Sequence, residues 1–217
     1  MNHVYPFSLE PLRYECDALE PYIGTQTIRV HFSLFLNGYV EKLNNILEQY
    51  PELQEWTLEQ MLLNYQLLPL AVQEPIKNNA GGIYNHYLYF DCMTPCSTAH
   101  MNNEFSIILR KEFGSIKRFQ ELFLTAVEKS FGSAYVWLVV NANGNLAIVT
   151  TKNQDNPLSF GLYPILTLDL WEHAFYLNYL NKKKDYATNW FCLIDWDYVY
   201  QRYCSIYQSL AKCRKLS

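Results

Sequence analysis

Apolar positions along the chain follow two different periods. Over residues 25–50 they recur at helical spacing. Ile28, His31, Phe35 and Tyr39 share one stripe, with Val40, Leu43 and Ile46 beside it. Thr25, after Gly24, has the residue type of an N-cap, and Pro51 predicts the stop. Residues 53–72 give a second amphipathic stretch through Leu62, Leu63, Tyr65 and Leu67, which Pro75 is expected to break. Asn79, Ala80, Gly81 and Gly82 predict a turn, and residues 83–90 a further helix. Upstream of all these, Pro6, Pro11 and Pro21 predict an extended arm.

Residues 94–101, with Pro95, Ser97 and Thr98, read as a linker. Two helical stretches follow, 105–113 and 116–130, split by Gly114 and Ser115. Then the period drops to two. Residues 134–140 alternate Tyr135, Trp137 and Val139 against the other positions, as a strand does. Asn143-Gly144 is a hairpin signal, with 146–151 as the returning strand. Residues 163–169 predict a third strand. Residues 171–180 and 196–210 predict helices, with Lys182 to Lys184 a solvated basic cluster between them. The pattern describes an α+β protein: an N-terminal helical hairpin domain over 1–97, and a C-terminal domain over 98–217 with a three-stranded antiparallel sheet and helices.

Composition narrows the function classes. Half of the 217 residues are hydrophobic and 18% are charged, so the chain can bury a core. The formal charge is −4 with no basic block, which argues against a nucleic-acid partner. No run of 18 apolar residues is present, so no membrane span is expected. The N-terminus MNHVYPFSLEPL lacks the basic and apolar regions of a signal peptide. The six cysteines Cys16, Cys92, Cys96, Cys192, Cys204 and Cys213 contain no close CxxC pair. They read as reduced thiols of a cytoplasmic protein rather than a disulfide framework or a second metal site.

Only five His are present, so each is worth placing. His31 lies mid-helix among apolar neighbours, His86 follows Asn85 on another helix, and His173 lies four residues after Asp169. Asp169 and His173 can face one point across a strand-to-helix turn. Neutral imidazoles with a carboxylate suit a first-row metal. A lone His on an apolar face is ordinarily a hydrogen-bonded core residue, so the types alone leave the matter open. His3 and His100 fall in expected loops and read as solvated.

The segment running from Asp169 through Leu170, Trp171, Glu172, His173, Ala174 and Phe175 to Tyr176 has the pattern DxWEHAxY. It resembles the signature of the iron/manganese superoxide dismutase family. HFSLFLNGYVEKLN from His31 is similar to the family's first helix, with Tyr39 eight residues on. AGGIYNHYLYF around His86, the FGS turn at Phe113 and the loop Asn153-Gln154-Asp155 also resemble family segments. The resemblance covers roughly residues 5–205.

That resemblance implies that His31, His86, Asp169 and His173 bind one manganese or iron ion, with solvent as a further ligand. It implies redox cycling that converts superoxide to dioxygen and hydrogen peroxide. It gives Tyr39 the place of a gateway tyrosine bonded to a glutamine beside the metal. Gln154 in the loop, with Gly82 on the helix, resembles the manganese arrangement, iron being the alternative. Glu172 matches a residue that reaches the partner's His173, which implies a homodimer through the Glu172 and Tyr176 region.

Four positions depart from the family pattern. Phe35 replaces a His that bonds the partner's tyrosine, here matching Tyr176. Tyr135 replaces a Trp beside the glutamine and keeps a donor. Phe90 and Phe175 replace a Trp and a Tyr. Two rival readings follow: a weak or inactive superoxide-dismutase-like protein acting as an interaction subunit, and a non-haem iron oxygenase. The second is disfavoured because three His and an Asp leave too few open positions.

Overall fold

A computed structural model describes residues 4–216, so His3 lies outside the described residues, as does the side chain of Cys213. The first helical stretch is continuous but not uniform. It runs as α1 (Thr25–Val30), a π-helical turn His31–Leu36, and α2 (Asn37–Leu47). In an α-helix, residues four apart drift about 40° per step. A π turn winds more residues per revolution, so it takes up that drift across His31, Phe35 and Tyr39. Gly24, not Thr25, is the N-cap of α1, and the Thr25 hydroxyl bonds Glu20. Upstream, residues 15–23 coil through successive turns rather than extending as an arm. Leu19 and Ile23 are thereby buried.

The stretch expected over 53–72 is broken up, and its end is not at Pro75. Helix α3 (Leu58–Leu63) starts at a capping box between Thr57 and Gln60. Helix α4 (Leu70–Asp91) then carries Pro75 inside it and continues straight through 79–82, where a turn was expected. Every residue from Asn79 to Phe90 is buried. The glycines here serve close packing, not a turn. A Cβ on Gly81 would overlap the backbone carbonyl of Gln154, and one on Gly82 would lie 2.6 Å from the Tyr39 ring. α4 is thus the central helix, with α2 and α3 on one side and the sheet on the other.

α5 (Asn103–Phe113) and α6 (Ile116–Lys129) follow, capped by Asn102 and Ser115. The sheet comprises β1 (Ala134–Val140), β2 (Leu146–Lys152) and β3 (Tyr163–Asp169), antiparallel in the order β2-β1-β3. All seven residues of β1 are buried, because the strand is central and covered on both faces. Its pairing with β3 sets Tyr135 directly opposite Asp169.

α7 (Glu172–Tyr179) ends at Leu180, which has positive φ. A further helix, α8 (Lys183–Trp190), occupies the place where a solvated basic cluster was expected. Lys183 opens it and donates to the Ser130 carbonyl at 2.6 Å, while Lys184 pairs with Glu128 at 2.7 Å. The signal missed was the apolar trio Tyr186, Ala187 and Trp190, all buried. α9 (Trp196–Leu216) completes the chain. The fold is α+β, as its periods indicate.

Phe119, Phe123, Trp190 and Phe191 form the aromatic centre of the C-terminal half, with Phe123 stacked on Trp190 at 5.6 Å. Phe123→Ala is therefore expected to cost about 3–5 kcal/mol in denaturant unfolding. Leu67→Ala, at a residue 77% exposed, is expected to change stability by less than about 0.5 kcal/mol.

Candidate metal centre

Four side chains from four elements converge between the helical half and the sheet. His31 is the first residue of the π turn, His86 lies on α4, Asp169 ends β3, and His173 is the second residue of α7. The first three are fully buried and His173 nearly so. One metal-ligating atom from each lies within 4.8 Å of all the others. Asp169 Oδ2 stands 3.3 Å from His31 Nε2 and 3.4 Å from His173 Nε2.

Local chemistry aims each group. The Trp171 backbone N–H donates to Asp169 Oδ1 at 2.7 Å, so the strand-to-helix turn anchors one carboxylate oxygen and frees the other. His86 Nδ1 lies 2.6 Å from the Gly82 carbonyl, which holds the proton on Nδ1 and leaves the Nε2 lone pair free. Packing fixes the rings: His31 lies 4.8 Å from His86 and 4.5 Å from His173, both edge to face. Phe35 stacks on the other side of His173 at 4.2 Å.

The electrostatics favour neutral imidazoles at His31 and His86 and an ionised Asp169. Burial lowers His31 to about 4 against the raising effect of Asp169. Burial, with His31 nearby, lowers His86 to about 3. Burial alone would raise Asp169, but its contacts with His173 and His31 outweigh it and hold the carboxyl well below its usual range.

These atoms fit a metal. Nε2 of all three His and Oδ2 of Asp169 are buried with no hydrogen-bond partner. Buried polar atoms are ordinarily satisfied, and each orphan costs roughly 1–3 kcal/mol. Here four orphan ligand atoms face one another, and three imidazole nitrogens with one anionic oxygen suit manganese or iron.

A polar chain runs outward from these four. Gln154 Nε2 donates to the Tyr39 hydroxyl at 3.0 Å. Asn85 Nδ2 donates to Gln154 Oε1 at 3.0 Å, and Asn156 Nδ2 donates to Asn85 Oδ1 at 2.7 Å. The Tyr135 hydroxyl lies 3.5 Å from His86 Nδ1, and Gln154 and Asp169 flank it. Burial raises the pKa of both Tyr39 and Tyr135, so both hydroxyls keep their protons at neutral pH.

Tyr39, Gln154 and Tyr135 therefore stand beside the four converging groups. Tyr176 does not: it is 49% exposed on the outer face of α7, near exposed Glu172. His100 is exposed and pairs with Asp197 at 3.6 Å, away from the centre. Sequence gives no site role to Asn85, named only as the neighbour of His86, to Gly81, named only as a turn residue, or to Asn156, yet the three position Gln154. The available signal was an amide side chain beside His86 and another two residues after Gln154. A groove lined by Phe35, Trp171, Glu172, His173, Phe175 and Lys183 opens at the edge of the cluster.

Comparison with known proteins places both halves of the chain in one family. The family model described as "Iron/manganese superoxide dismutases, alpha-hairpin domain" matches residues 6–94. The model described as "Iron/manganese superoxide dismutases, C-terminal domain" matches residues 101–202. "Superoxide dismutase [Mn] 1" of Leptolyngbya boryana is 40% identical over 200 residues, covering 91% of this chain and 81% of that protein. "Superoxide dismutase [Mn] 3" of the same organism is 38% identical, covering 95% and 87%. "Superoxide dismutase [Mn] 2" of Bacillus anthracis is 36% identical, covering 94% and 97%.

The glycines of the two long helical stretches give a paired prediction. Gly82→Ala must push the Tyr39 ring aside and disturb its bond to Gln154. A loss of about 1–3 kcal/mol in unfolding is expected. Gly38→Ala meets nothing within 4 Å and is expected to stabilise α2 by about 0.5–1 kcal/mol. Denaturant titration of both variants checks the pair.

Proposed function

The chain belongs to the iron/manganese superoxide dismutase family, oxidoreductases that convert superoxide to dioxygen and hydrogen peroxide, and on that premise we propose that His31, His86, Asp169 and His173 together hold one manganese ion. The observation that carries this reading is the meeting of four buried, unpartnered ligand atoms within 4.8 Å. A metal bound there supplies one-electron exchange, oxidising one superoxide and reducing another.

The remaining roles fall to this chain's own groups. Peroxide formation needs two protons, and the Tyr39 hydroxyl holds one at the edge of the centre. Gln154 Nε2 fixes that hydroxyl in place, and Asn85 with Asn156 fixes Gln154. Tyr135 offers a second hydroxyl beside His86. The aromatic rings of Phe35, Phe90 and Trp171 close around His31 and His173 and limit water. Lys183, lining the outer groove, favours approach of an anion despite the net charge of −4.

Manganese is preferred over iron in this reading. Gln154 enters from the loop after β2, and Gly82 leaves α4 without a side chain at the facing position. Three relatives named as manganese enzymes support the same choice. We assign residues 1–97 and 98–217 to two domains, each giving two ligands. A homodimer is proposed through the exposed face that carries Glu172 and Tyr176, with Phe35 lining the same groove as Glu172. Tyr176 acts there across a two-fold contact. A cytoplasmic setting fits the free state of the five described cysteines, Cys16, Cys92, Cys96, Cys192 and Cys204.

Metal analysis tests the ligand set. Wild-type protein loaded with manganese is expected to hold one ion per chain, and His86→Ala about none. Undiminished binding by the variant would contradict the assignment. Sedimentation of the loaded protein is expected to give twice 25.6 kDa, and a species at 25.6 kDa would contradict the dimer.

Phe35 stacks on His173 but offers no hydrogen bond, so the outer proton path ends there. Phe35→His is expected to raise turnover several-fold or to move its pH profile. No change in either would show that the path does not pass this position.

A further inference from the structure

Two thiols meet where the helical half joins the C-terminal half. After α4 the chain pairs briefly with the segment leading into α9. Met93 and Ile194 form an antiparallel bridge. The Thr94 N–H donates to the Leu193 carbonyl at 2.7 Å, and the Asp195 N–H donates to the Cys92 carbonyl at 2.8 Å. Antiparallel pairing runs one segment forward as the other runs back. It therefore carries Cys96 and Cys192 to the same end of the bridge. A turn stabilised by Thr98 N–H on the Pro95 carbonyl then folds Cys96 inward.

The Cys96 thiol donates to the Tyr22 hydroxyl at 3.7 Å. Cys192 lies near enough to that hydroxyl and to Cys96 for their charges to perturb one another. Cys192 is exposed and Cys96 partly buried. Neither belongs to the metal centre, and both are free thiols.

We propose that Cys96 and Cys192 form a peroxide-sensitive dithiol, which closes to an intramolecular disulfide and clamps the loop after α4 to the loop before α9. The exposed Cys192 thiolate attacks one oxygen of hydrogen peroxide. The O–O bond breaks, hydroxide leaves and is protonated to water, and Cys192 becomes a sulfenic acid. The Cys96 thiolate then attacks that sulfur. The S–S bond forms, the S–O bond breaks, and a second hydroxide leaves as water. In sum, two thiols and one hydrogen peroxide give one disulfide and two waters, the sulfurs supplying two electrons. The oxidant is the product of the family's reaction, so the pair is placed to register peroxide that accumulates. Burial and the neighbouring Cys96 hold the Cys192 thiol above its ordinary range. Less thiolate is then present at a given pH, so closure is slow at pH 7 and quickens as pH rises. The clamp holds the end of α4, the helix that bears His86, against the C-terminal half.

Peptide mapping tests this on the metal-loaded enzyme with added peroxide, independently of its turnover. The reduced protein is treated with a small excess of hydrogen peroxide, its remaining thiols are alkylated, and it is digested without reductant. A linked Cys96–Cys192 peptide is expected, with the other cysteines alkylated. Its rate of appearance should rise about tenfold from pH 7 to pH 8, and Tm should rise by roughly 5–10 °C. Cys192→Ser should abolish the linked peptide and the Tm rise. Alkylation of both residues after peroxide, sulfinic acid at either without linkage, or a disulfide between chains would overturn the proposal. A linked peptide with unchanged Tm would overturn the clamp.

Discussion

A fully buried carboxylate sits at the centre of this molecule, and the rest of the architecture answers to it. Asp169 has no solvent exposure and is held ionised. An isolated charge in such a place is costly unless something of opposite sign meets it. His31 and His86 do not supply that sign, because burial lowers their pKa values and keeps them neutral. What they supply is lone pairs. A carboxylate and three imidazole nitrogens aimed at one point make sense together only around a cation. A manganese or iron ion would satisfy charge and lone pairs at once.

Holding that arrangement requires close packing on the far side. α4 approaches both the Tyr39 ring and the Gln154 backbone, and only glycine at 81 and 82 allows it. The approach brings Asn85 within reach of Gln154, and Gln154 within reach of Tyr39. The sheet contributes from the other direction. β1 and β3 pair so that Tyr135 stands opposite Asp169, and the turn after β3 points His173 back at it. The site thus depends on the seam between helices and sheet.

Much of this is legible in the amino-acid sequence. The strands at 134–140 and 163–169 follow from a change of period and occur with those bounds. The helices around Gly114 follow from its turn and the Ser115 cap. What could not be read depends on distant neighbours. Asn79 to Gly82 carry the local marks of a turn, yet tertiary packing makes them helix, because the glycines accommodate residues 39 and 154. Pro75 carries the mark of a stop but is absorbed into α4, and α8 hides behind three lysines whose neighbours are buried. Within the site, the resemblance of DxWEHAxY to the family signature points to Asp169 and His173, and the resemblance of the His31 helix points to His31 and Tyr39, which the helical stripe puts on one face. Asn85 and Asn156 escaped notice because an amide reveals its role only through its partners. Tyr176 and Glu172 are exposed on α7, and among the described residues neither side chain has a hydrogen-bond partner.

The most direct test is the decay of superoxide catalysed by the protein reconstituted separately with manganese and with iron. Fast decay with manganese, and slower decay with iron, is the predicted result. One tightly bound ion per chain with no acceleration of decay for either metal would contradict the account.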